Sequence, residues 1–93
     1  MKRIDLILSE RELNRVCKAI TKAGAKGYSV MRHVTGMSPS GEISEAMDFS
    51  GLGANAHVIV FVDDDLLGAV AAAVRPLLKR YGGVGFVSSA EPL

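Results

Sequence analysis

Twice in this chain a short apolar strand runs straight into an acidic helix start, and that repetition leaves few folds open. The first strand alternates, with Ile4, Leu6 and Leu8 on one side and Arg3, Asp5 and Ile7 on the other. A period of two marks a strand with one covered face. Ser9-Glu10-Arg11-Glu12 follows at once, a capping-box pattern in which the Ser9 hydroxyl accepts from the Glu12 amide while Glu12 reaches back. Leu13, Val16, Cys17, Ile20 and Ala23 then recur at helical spacing, and Gly24 is placed to end the helix. The second junction repeats the plan. His57–Val62 (HVIVFV) is a nearly unbroken apolar run, as expected of a central strand. Asp63-Asp64-Asp65 supplies an N-cap and negative charge where a helix begins. Leu66, Leu67, Val70, Val74, Leu77, Leu78 and Tyr81 carry that helix forward. Pro76 should bend it, because it lacks an amide hydrogen and crowds the carbonyl four residues back. Gly82-Gly83 should stop it.

Residues 27–34 (GYSVMRHV) and 84–88 (VGFVS) read as two further strands. The order strand, helix, strand, strand, helix, strand predicts an α+β, ferredoxin-like βαββαβ domain over residues 1–93, with a four-stranded antiparallel sheet and both helices on one face. The other face is left open. A chain of 93 residues with 48% apolar content gains from covering such a face, so self-association is expected. Its net charge of +1 gives no general affinity for nucleic acid or acidic membranes. No apolar run is long enough for a signal peptide or a bilayer span, which makes the cytoplasm the expected location.

Residues 35–56 (TGMSPSGEISEAMDFSGLGANA) form a long connection between the second and third strands. Connections beyond about 12–15 residues are usually functional or disordered, and this one keeps Met37, Ile43, Met47, Phe49 and Leu52 as groups that can dock on a partner or a ligand. His33 and His57 flank it and can begin a metal site, with Glu42, Glu45 and Asp48 as the only loop carboxylates to complete one. Arg80-Tyr81-Gly82-Gly83-Val84-Gly85 joins the last helix to the last strand. Its glycines let backbone amides approach a ligand, although a helix C-terminus is the wrong pole for phosphate, and a cap followed by a tight turn explains them equally. Cys17, the single cysteine, falls on an apolar helix stripe and reads as a buried, inert thiol. No nucleophile elbow, phosphate loop or helix-spaced pair of metal histidines is present, so no enzyme is expected.

The stretch KRIDLILSERELNRVCKAITKAGAKGYSV resembles the opening of the PII nitrogen-regulatory proteins, and HVIVFVDDDLLGAVAAAV resembles their third strand and second helix. The resemblance continues to the glycine turn and its FV strand. It implies a homotrimer with three intersubunit clefts that commonly hold adenine nucleotides, and a long T-loop, here residues 35–56, that engages a membrane transporter or an enzyme. Carried over by position, Ile7 and the backbone near Phe61 would line the adenine pocket, and Ser29 would sit near the base. Thr35, Gly36 and Met37 would form the loop base, with Gly82, Gly83 and Gly85 beneath the phosphates. Partner contacts would fall on loop residues such as Ser38, Ser40, Glu42, Glu45 and Phe49. Three departures qualify this. Val84 stands at the family's phosphate-binding lysine, the sequence stops before the arginine-bearing C-terminal segment, and residues 35–56 hold no tyrosine for uridylylation. A buried triphosphate without cations is unfavourable, so AMP, ADP, another metabolite or no nucleotide fits better than ATP. The divergent PII-like proteins tied to bicarbonate or other transport are the better match. A second reading is a metal-binding trimer similar to the CutA-type cation-tolerance proteins, using His33 and His57.

Overall fold

In the computed structural model, residues 1–34, 36–38, 41–43 and 54–93 are described, 36–38 and 41–43 as backbone alone. The strands are β1 (Lys2–Ser9), β2 (Ser29–Val34), β3 (Gly36–Ser38), β4 (Gly41–Ile43), β5 (Asn55–Val62) and β6 (Val84–Ser89), and the helices are α1 (Leu13–Lys22) and α2 (Leu67–Tyr81). β2, β5, β1 and β6 form one sheet in that order, with every pair antiparallel. This is the expected ferredoxin-like α+β arrangement. β3 and β4 make a separate two-stranded ribbon, pairing Met37 with Glu42, within a stretch where the sequence predicts no strand. β5 also begins two residues earlier than expected, because Asn55 and Ala56 pair with Ser9 and Leu8 and both are fully buried.

The alternation in β1 decides which side of the sheet is core. Ile4, Leu6 and Leu8 are buried with Val58, Val60 and Val62 of β5 beneath Leu13, Val16, Cys17 and Ile20 of α1 and Val70 and Val74 of α2. α1 begins differently from the capping-box expectation. The Ser9 hydroxyl accepts from the Arg11 amide at 3.2 Å, and Glu12 pairs with Arg15 at 3.0 Å, since a short 3-10 turn at Glu10–Glu12 precedes the helix. At its other end Gly24 donates to the Thr21 carbonyl and Ala25 to that of Ile20, each at 3.0 Å. These two bonds close a Schellman turn and hold Gly24 at φ +117°.

Asp63 caps the short 3-10 turn at Asp64–Leu66 that leads into α2, and its side chain makes no cap bond; its carbonyl accepts from the Leu66 amide at 3.0 Å. Asp64 instead pairs with the N-terminal amine at 2.9 Å. Pro76 lies inside α2, which continues past it to Tyr81. Among the described residues, no helix is long and apolar enough to cross a membrane.

Candidate functional site

The sheet face away from the helices carries three rows of side chains, read directly from the strand register. Met31, His57, Ile7 and Val84 stand in one row, Ser29, Ile59, Asp5 and Phe86 in the next, and Phe61, Arg3 and Ser88 in the third. Met31, Phe61, Val84 and Phe86 are all exposed, Phe86 at 63%. In the middle of this apolar surface lies a polar network. Asp5 accepts from Arg3 Nε and Nη2, each at 3.0 Å, and its Oδ1 lies 2.8 Å from His57 Nε2. The hydrogen bonds from Arg3, against the opposing effect of burial and with help from His57, hold the Asp5 carboxyl below the usual range. Arg3 also lies over the Phe61 ring, 5.9 Å from its centroid.

The expected ligand residues are spread over all four strands of this face. Ile7 in β1 is half-buried and pairs with Val84, just after the glycine turn. Gly82 and Gly83 adopt φ +86° and +122°. A Cβ on Gly83 would come within 2.9 Å of the Ile7 carbonyl oxygen and 3.0 Å of Leu78, and one on Gly85 within 3.0 Å of Leu6. The missing side chains of Gly83 and Gly85 therefore let β6 and the end of α2 close onto β1. Ser29 lies on the opposite edge strand, three strand spacings or about 14 Å from β6. Phe61 pairs with Arg3, four residues along β1 from Ile7 and so about 13 Å away. One copy of the chain thus joins Ile7 to the glycine turn and leaves Ser29 and Phe61 apart from them. A concavity of about 260 Å³ does reach Phe61, beside Lys26 and Asp63.

The long connection leaves β2 and returns to β5 at the same end of the sheet as the glycine turn. Gly36, Met37, Ser38 and Glu42 lie on the β3–β4 ribbon. Thr35, Ser40, Glu45 and Phe49 fall outside the described residues.

The metal reading finds no support among the described residues, and its loop carboxylates Glu45 and Asp48 lie outside them. His57 is engaged with Asp5, whereas His33 meets a different carboxylate, Glu10, with Nδ1 3.6 Å from Oε2. Among the described residues, no three His, Cys, Asp or Glu side chains gather as a metal site requires. Arg32 pairs with Ala56 and Val34 with Asn55, which leaves His33 as a bulge at φ +58°.

Glu10 reads in the sequence only as part of a helix cap, and it does more. Its amide donates to the Ala54 carbonyl at 2.9 Å, while its carboxylate accepts from Arg32 Nη1 at 2.9 Å and from the His33 amide at 3.2 Å. Burial opposes the charge, but the His33 amide and Arg32 outweigh it and hold this carboxyl below its usual range. Sequence offers little warning of it, since the partners lie more than twenty residues downstream. Cys17 is buried as expected, and burial pushes its thiol up despite the neighbouring Tyr28 hydroxyl.

The family model described as nitrogen regulatory protein P-II matches residues 1–92. No curated protein matches the chain. Among solved structures, CPII from Thiomonas intermedia K12, a PII-like protein bound to ADP, AMP and bicarbonate, is similar at 24% identity. The likeness covers 94% of this chain and 82% of that one, with a TM-score of 0.79. The same protein bound to ADP and bicarbonate superposes with a TM-score of 0.77 at 24% identity and the same coverage. A putative PII-like signaling protein from Thermus thermophilus gives 0.68 at 15% identity, covering 94% of this chain and 82% of that one. The match over residues 1–92 and the β2-β5-β1-β6 sheet agree: the chain belongs to the nitrogen regulatory protein P-II family, whose members are signalling regulators.

Proposed function

We propose that this chain is a non-enzymatic regulator that assembles as a homotrimer, takes AMP or ADP into clefts between copies, and passes the binding event to a protein partner through residues 35–56. One observation carries the reading. Ile7 on β1 pairs with the edge strand β6 just after the glycine turn, and Ser29 lies on the opposite edge strand, β2, on a face that also exposes Met31, Phe61 and Phe86. Apolar area of this kind favours association. A second copy brought edge to edge would set Ser29 beside the glycine turn and complete a site that one copy leaves open.

The resemblance to CPII, which is bound to ADP, AMP and bicarbonate, supports the ligand class and makes a bicarbonate transporter the partner of choice. The mechanism is a population shift: nucleotide in the cleft favours one arrangement of the adjacent loop base, and the partner reads that arrangement. The turn carries Val84 and no lysine, so a monophosphate or diphosphate is preferred over ATP.

Isothermal titration with AMP, ADP and ATP, with and without bicarbonate, tests the ligand, and sedimentation equilibrium tests the assembly. Saturable heat from AMP or ADP with a mass three times that of the chain is expected. A stable single-chain species, or no heat from any of the three, overturns the corresponding half of the reading.

A further inference from the structure

Where the chain leaves β2, a strained residue has its amide held by a carboxylate. His33 is the one described non-glycine residue with positive φ, at +58°. For an L-residue this conformation costs roughly 1–2 kcal/mol and persists where its surroundings enforce it. Here Glu10 does so from across the sheet end. Its Oε2 accepts from the His33 amide at 3.2 Å and its Oε1 from Arg32 Nη1 at 2.9 Å. The chain's return is tied to the same residue, since the Glu10 amide donates to the Ala54 carbonyl at 2.9 Å.

We propose that the Glu10 carboxylate is a charge-operated latch that holds the His33 bulge and thereby sets the register in which the chain leaves β2 toward its long connection. With the latch closed, Arg32 pairs with Ala56 and Val34 with Asn55. Without it, His33 returns to extended backbone and takes the place opposite Asn55. Val34 then moves on by one residue, about 3.3 Å, and its side chain changes face of the strand. A bulge that is either present or absent is a two-state element. Among the described residues, the charged and titratable groups facing the carboxylate are Arg32 and His33. The Glu10 charge is matched by Arg32 at 2.9 Å, so neutralising Glu10 opens the latch. The latch needs no bound nucleotide, and its test is separate from the titrations above.

Amide hydrogen exchange and backbone chemical shifts of the ligand-free protein provide that test. In E10A and in E10Q, protection of the His33 amide should fall about tenfold and the Val34 and Asn55 shifts should move. The amide of residue 10, bonded to the Ala54 carbonyl through backbone alone, keeps its protection. Adding His33→Gly to E10A should return the Val34 and Asn55 shifts, because glycine holds positive φ without cost. Unchanged His33 protection in E10A, wild-type behaviour of E10Q, loss of the residue-10 amide in parallel, or failure of the glycine rescue would each overturn the latch.

Discussion

Replacing Gly83 with alanine should destabilise the protein severely, in contrast to the same change at Gly68. At Gly83 the backbone holds φ +122°, and a Cβ would meet the Ile7 carbonyl oxygen at 2.9 Å, Leu78 Cδ2 at 3.0 Å and Leu8 Cβ at 3.2 Å. Leu78 can rotate away, but Ile7 is paired within the sheet and its carbonyl cannot. The unfavourable φ costs about 1–2 kcal/mol, and forcing a methyl into a packed interior typically costs about 1–3 kcal/mol. A loss of about 3 kcal/mol is therefore expected, which for a domain of this size lowers Tm by roughly 12–24 °C. Gly68 lies in α2 with nothing near its would-be Cβ. Gly68→Ala removes helix-interior glycine entropy and should stabilise by about 0.5–1 kcal/mol, or a few degrees. Thermal melts of both variants and the wild type, at one protein concentration because the chain is expected to assemble, give the comparison. A G83A melt within about 3 °C of wild type would refute the steric account of the turn and leave its glycines to be explained by ligand contact alone.

Asp5→Asn should lower Tm at neutral pH, and the difference should vanish in acid. Arg3 and His57 hold the Asp5 carboxyl low in the folded state, so its stabilisation is complete above the unfolded value of about 3.9 and disappears as pH falls through the depressed folded value. A difference that persists unchanged at about pH 2–3 would mean the side chain acts by shape and not by charge. Cys17 is buried and its thiol pushed up, so iodoacetamide should label the native protein far more slowly than the urea-unfolded chain at the same pH. Equal labelling rates would place the thiol in solvent.

The strand and helix pattern is legible because it is local. Ile4, Leu6 and Leu8 alternate, and Leu13, Val16, Cys17 and Ile20 repeat at helical spacing; each set is buried as its period predicts. The errors have two sources, a tighter local turn and long-range pairing. Ser9 and Glu12 have the letters of a capping box, yet Glu12 turns to Arg15 and Ser9 caps a shorter turn. Asn55 and Ala56 look like the end of a polar connection, but pairing with Ser9 and Leu8 draws them into β5. Each histidine also meets a carboxylate of its own, Asp5 for His57 and Glu10 for His33, which strand-end positions in sequence do not foretell. Glu10 is invisible as a loop anchor because its meaning depends on residues that only the sheet brings near. Arg3 and Asp5 do leave a trace: two opposite charges on the outer face of one strand, two residues apart, are positioned to pair.

That outer pair bears on whether the open face can be covered at all. Covering a charged group costs several kcal/mol unless its partner comes with it, so an assembly built on this face would ordinarily select against Arg and Asp at its centre. Here each charge already has its partner within the same copy. Asp5 takes two hydrogen bonds from Arg3 and one contact from His57, and Arg3 lies against Phe61. The Arg3 and Asp5 charges cancel within one copy, so the surrounding Met31, Ile59, Phe61 and Phe86 can be covered without an unmatched ion beneath them. Asp5→Asn alone leaves the Arg3 charge unmatched under the cover, which is the costly arrangement. Assembly through this face should therefore weaken in D5N, whereas Arg3→Gln combined with Asp5→Asn removes both charges and should restore it. Sedimentation equilibrium at neutral pH reads the three proteins, and a D5N assembly as tight as that of the wild type would place this face outside the interface.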